Sequence, residues 1–121
     1  MAVGNRLEWK ALDSPDERRS FPKGRMDIVT LGGMTIGRAT FEPGWRWSES
    51  VKPIAATDSC QAGHLGYMLA GRMKIVMDDG TETECGAGSA VVIPPGHDAW
   101  VVGNEPCVFL DFMGAEHYAK S

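Results

Sequence analysis

Three side chains in this sequence could do chemistry together: Cys60, His64 and His97. A thiolate and two neutral imidazoles are suitable ligands for a divalent metal, and zinc accepts that mixed sulfur and nitrogen set best. Asp58 offers a carboxylate as an optional fourth ligand. In an extended chain Asp58, Cys60 and His64 share parity, so their side chains can leave on one face. The plainer alternative is that the cysteine is a small buried hydrophobe and His64 a satisfied core residue. His117 lies in a polar tail and reads as a solvated surface histidine.

His97 follows Pro94-Pro95-Gly96, a rigid turn between two apolar runs, so its ring emerges at a defined point. Either Asp98 or a backbone carbonyl can orient that ring, leaving the other nitrogen to bind a metal or move a proton. Without a metal, His97 and His64 could serve as acid and base. Trp45 and Trp47 alternate around Arg46 and suit either core packing or a pocket wall, to which Tyr67 and Trp100 would add. Cys85 and Cys107 have no histidine close behind them, and three cysteines without a Cys-x-x-Cys pair indicate no disulfide framework. Met68, Met73 and Met77 are expected in the core.

These residues need a scaffold, and its rhythm is that of short strands. Turn signals recur about every ten residues, as in a sandwich or barrel. Gly32-Gly33 separates 26–31 from 34–41, and Asp79-Gly80 is a hairpin signal between 72–77 and 81–85. Further strands are expected at 64–70, 90–93, 99–102 and 107–112. The only good helix start is Ser14-Pro15-Asp16-Glu17, a capping box good for a single turn. The connection from Gly44 to Gly63 is long for so small a chain, and long connections are disproportionately functional.

Composition narrows the function. The 121 residues are 43% hydrophobic and carry a net charge of −4, with the 12 Lys and Arg residues scattered. A concentrated basic face is missing, so nucleic acid is not an expected partner. No apolar run approaches the roughly 20 residues of a membrane helix, and no signal segment is evident, so a cytoplasmic protein without membrane contact is expected.

Two spacings resemble those of the cupins, small β-barrels of the jelly-roll type. Gly71 matches the glycine that closes the first cupin motif, with Leu65 to Ala70 before it. His64 then stands at the motif's glutamate, Cys60 at its second histidine and Asp58 at its first. Gly88, five residues and Pro94-Pro95-Gly96 reproduce the start of the second motif, whose histidine position is Ala99, with His97 two residues earlier. The resemblance implies an all-β, single-domain cupin barrel spanning 1–121, its core at about 26–113 behind an N-terminal arm at 1–25. These departures from the family's ligands fit either a rebuilt site, in which Asp58, Cys60, His64 and His97 hold a divalent metal, zinc first, or a lost one that leaves a metal-free pocket. The expected function is a metal-dependent enzyme of the lyase, isomerase or oxygenase kind acting on a small organic molecule. The alternative is a metal-free, non-catalytic binding or sensing module. A homodimer is expected, with Trp9, Phe21 and Trp47 covered by the partner and residues 7–21 packed or exchanged.

Overall fold

The computed structural model describes residues 4–115 and 118. His117 lies outside them. The described chain forms nine strands: β1 (Glu17–Phe21), β2 (Gly24–Leu31), β3 (Met34–Phe41), β4 (His64–Ala70), β5 (Arg72–Met77), β6 (Glu82–Gly86), β7 (Ala90–Ile93), β8 (His97–Val101) and β9 (Cys107–Met113). Two four-residue helices, α1 (Trp47–Ser50) and α2 (Lys52–Ala55), interrupt the sequence between β3 and β4.

The strands make two antiparallel sheets. The larger has the order β1-β2-β3-β9-β4-β7 and the smaller the order β6-β5-β8. Period-two alternation explains which side chains enter the space between them. On β4, His64, Gly66 and Met68 are buried while Leu65, Tyr67 and Leu69 are exposed. On β8, His97, Ala99 and Val101 point inward. Cys107, Phe109 and Asp111 do so on β9. The hairpin at Asp79-Gly80 forms as expected, with Gly80 at φ 89° and the Met77 amide donating to the Thr81 carbonyl.

Three expectations are corrected. The capping box at Ser14 to Glu17 does not start a helix; the Asp16 amide bonds to the Ile28 carbonyl and Glu17 opens β1, which pairs with β2 from Glu17↔Ile28 to Phe21↔Gly24. Pairing with a neighbouring strand outweighs a local preference for one helical turn. The expected N-terminal arm therefore contributes a sheet strand. Phe21 and Trp47, expected as exposed apolar residues, belong to the core, whereas Trp9 is exposed. Met77 is only partly buried, while Met68 and Met73 fill the core as expected.

The long connection is what joins the two sheets beside the site. It lies along the outer edge of β8, with bridges at Arg46↔Trp100 and Cys60↔His97. The Val101 amide donates to the Trp45 carbonyl, and the Cys60 amide to that of His97 at 2.7 Å. Asp98 Oδ1 accepts from the Ser48 amide and so ties α1 to β8.

Candidate metal centre

The backbone bridge between Cys60 and His97 sets the first two members of the site side by side. Both backbone groups of Cys60 are engaged there: its amide donates to His97 and its carbonyl accepts from Gly96 at 2.7 Å. Gly96 has φ 92°, a turn conformation that side-chain-bearing residues rarely adopt, and it delivers His97 into β8. His97 Nδ1 donates to the Pro94 carbonyl at 2.8 Å, which leaves Nε2 as the available ring nitrogen. The orienting group is thus the backbone carbonyl, since Asp98 is committed to the amides of Ser48 and Ala99.

His64 arrives from the opposite sheet. Its Nδ1 lies 2.6 Å from Asp111 Oδ2, and its Nε2 lies 3.9 Å from Cys60 Sγ. A register shift between Leu65 and Gly66, where β4 pairs with β9, brings Asp111 to this position. Bulges commonly re-aim side chains in this way. Gly114 lets the chain pass behind the ring; a Cβ there would overlap the Gly63 carbonyl and crowd His64 Nδ1.

One ligand atom from each of Cys60, His64 and His97 lies within 4.8 Å of the other two, and all three residues are buried. Tetrahedral zinc with its usual bond lengths holds sulfur and nitrogen about 3.5 Å apart, so the 3.9 Å between Cys60 and His64 needs only a small adjustment. Both histidines have an acceptor at Nδ1, the arrangement by which outer partners set the tautomer and aim of metal-binding imidazoles. The donor set fits a divalent metal.

The local electrostatics couple Cys60 to His64. Burial pushes the Cys60 thiol up, but hydrogen bonds from His64 and His97 bring it down to about 6. Burial opposes charge on His64, yet its bonds to Asp111 and Cys60 raise it to about 9. Without a metal, Cys60 and His64 are therefore a thiolate and an imidazolium at neutral pH. Cys85 and Cys107 are shifted upward by burial, Cys107 to about 11, and the Cys107 thiol donates to the Arg72 carbonyl. They are inert core residues.

Asp58 does not join the group. Its side chain is fully exposed and faces Lys52 Nζ at 4.0 Å. Strand parity does not extend to it because residues 57–59 are a bend. The buried carboxylate of the site is Asp111, a lone acid at an inward position of an apolar strand, and that anomaly was the signal available in the sequence. Tyr118 was also missed, and the polar tail around it carries no such signal; its ring lies 5.6 Å from that of His64.

Above the cluster is a narrow cavity of about 30 Å³ lined by His64, His97, Asp111, Trp45, Trp47 and Tyr118 together with apolar residues. Trp45 and Trp47 are thus both core and pocket wall. Tyr67 and Trp100 are not part of it: Tyr67 is on the outer face of β4, and Trp100 stacks under the Arg46 guanidinium at 4.1 Å. A second pocket of about 370 Å³, nearer the surface, reaches Cys60 and shares Trp47 and Tyr118 with the cavity.

The model of the AraC-binding-like domain matches residues 3–110. The chain belongs to that family. The cupin domain is similar to a sugar phosphate isomerase of the cupin superfamily from Silicibacter pomeroyi, with TM-score 0.61 and 19% identity over 86% of this chain and 73% of that one. It is similar to a polyketide cyclase from Streptomyces resistomycificus, with TM-score 0.61 and 17% identity over 88% and 78%. A cupin-like protein from Thermotoga maritima aligns with TM-score 0.53 and 16% identity over 78% and 70%. At such identities the likeness carries the fold, which is the jelly-roll cupin expected from Gly71 and the 88–96 spacing. No curated protein matches the cupin domain in sequence. Among the described residues no helix is long and apolar enough to cross a membrane.

Proposed function

We propose that Cys60 Sγ, His64 Nε2 and His97 Nε2 hold one divalent metal, zinc by the softness of the thiolate, and that the protein is an enzyme acting on a small organic molecule at that centre. The observation that carries this reading is the convergence of three buried donors within 4.8 Å, with each imidazole oriented through its other nitrogen. When bound, such an ion supplies Lewis-acid polarisation of a carbonyl or activation of water. Asp111 fixes the tautomer of His64 and takes up the charge of its Nδ1–H. The Pro94 carbonyl does the first of these for His97. Trp45, Trp47 and Tyr118 exclude bulk water from the cavity, and the pocket beside Cys60 gives a small molecule its approach.

Elemental analysis of protein purified without a chelating tag tests the reading directly. About one equivalent of metal is expected in the wild type, with loss in Cys60→Ser; an equal content in both would overturn it. The family match favours one second reading, a non-catalytic ligand-binding module, which would bind a small molecule in the cavity without turnover. For assembly we infer a cytoplasmic homodimer. Leu65, Tyr67 and Leu69 of β4 form an exposed apolar face with Val92 of β7 and Phe112 of β9. Sedimentation at micromolar concentration should show the dimer, and a monomer would count against it.

A further inference from the structure

Three buried hydrogen-bond donors lack a partner among the described residues: Trp45 Nε1, Trp47 Nε1 and Tyr118 Oη. All three belong to residues lining the one cavity above Cys60, His64 and His97. An unsatisfied buried polar group costs about 1–3 kcal/mol, so three on residues that line one small space amount to a demand for a partner that the described residues do not supply. An indole N–H can only donate, so that partner must accept. A phenol is ordinarily protonated at neutral pH, so Tyr118 too can donate.

Among the described residues, the one carboxylate that lines the cavity is already engaged. Asp111 receives His64 Nδ1 on one oxygen and the Met113 amide on the other. Most of the remaining wall is apolar, including Met26, Phe41, Met68, Ile75 and Phe109. A cavity of about 30 Å³ has room for about two water-sized groups. Asp111 is held by His64 Nδ1, so a divalent ion ligated by the thiolate and the two imidazoles can still take an anionic oxygen as a further ligand.

We propose that this cavity binds the carboxylate group of a small organic acid, with the Tyr118 hydroxyl and the indole N–H groups of Trp45 and Trp47 donating to its oxygens at the metal's open side. This deepens the metal-enzyme reading above and rests on it. The ligand class follows from acceptors facing the three donors, a two-oxygen head and an anionic oxygen for the metal. An amide of the same shape would set its own N–H against the indole donors. The larger pocket shared through Trp47 and Tyr118 accommodates whatever the carboxylate is attached to.

The test uses the zinc-loaded full chain and three readouts: bound zinc, intrinsic tryptophan fluorescence and calorimetric affinity. Acetate and its isostere acetamide are the probes. Acetate should perturb the fluorescence and bind at least about tenfold more tightly than acetamide, about 1.4 kcal/mol. Tyr118→Phe, which removes one oxygen and keeps the ring, should retain zinc and lose about tenfold in acetate affinity. If the wild type retains zinc but does not distinguish acetate from acetamide, the carboxylate assignment falls and the metal centre stands. The assignment falls likewise if Tyr118→Phe retains zinc and binds acetate unchanged. If the wild type holds no zinc, both fall.

Discussion

Two aspartates of the large sheet are completely buried, Asp27 on β2 and Asp111 on β9, and their surroundings differ in every other respect. Asp27 lies between Arg18 on β1 and Arg38 on β3, its direct neighbours across the ladders, and bonds to them at 2.6 and 3.1 Å. Arg25 adds a third contact at 3.4 Å. Asp111 lies between two glycines, Gly37 and Gly66. Those neighbours bring no side chain, which leaves its oxygens to His64 and to the Met113 amide. Burial opposes ionisation of Asp27, and the guanidinium groups overcome it and hold the carboxyl below its ordinary value. A guanidinium stays charged at every working pH, so the Asp27 cluster is a permanent clamp. An imidazole can lose its proton and turn its other nitrogen to a metal, so the same kind of acid becomes part of a working site.

The sharpest way to break that contrast is to remove a donor on the working side. Cys60→Ser should lower metal affinity more than about a hundredfold, exceeding the effect typical of an outer partner. Cys85→Ser and Cys107→Ser should leave it unchanged, as bound metal per chain will show. Next in size, Asp27→Asn should cost about 2–3 kcal/mol in chemical unfolding, because charge-assisted bonds to three arginines are lost, with metal content unaltered. A fall in metal content would mean that the two regions are coupled. Asp111→Asn should weaken metal binding by about 10- to 100-fold through the orientation of His64, which metal titration would resolve. An affinity equal to the wild type would demote Asp111 to a structural acid.

The smallest effect is the most diagnostic. In metal-free protein the raised pKa of His64 contributes stability that is complete below its unfolded value near 6.5 and is lost as pH rises through about 9. The lowered pKa of Cys60 contributes stability that is complete above its unfolded value near 9 and is lost as pH falls through about 6. Between pH 6.5 and 9 folding only moves a proton from sulfur to imidazole, so folded and unfolded chains hold equal numbers of protons. Unfolding midpoints should therefore be flat across that window, while thiolate ultraviolet absorbance, present at neutral pH, disappears as pH falls below about 6. A strong slope in the midpoint would show that the two groups do not form one pair. The Asp27 clamp, by contrast, is complete above the ordinary carboxylate value of 3.8 and weakens only in acid below it.

Much of the scaffold was legible because its determinants are local. Alternation along β4 and β8, the Asp79-Gly80 turn and the spacing from Gly88 to Gly96 each act within a few residues. The sequence also carried the pairing of Cys60, His64 and His97 as chemistry, since few residue types can ligate a metal. It put forward Asp58 and did not bring out that Asp111 would meet His64 instead. Asp58 lost its place to a bend of the local chain. Asp111 gained one through a bulge and through glycines on β3 and β4, far away in sequence. The strand at Glu17 likewise depended on β2 being beside it, against a capping box that favoured a helical turn. Residue types and short spacings thus determined which elements form and which atoms can react. Only the tertiary structure, by packing β4 against β9 and laying residues 44–63 along β8, decided which of them meet, because those contacts join groups with no local interaction to reveal them.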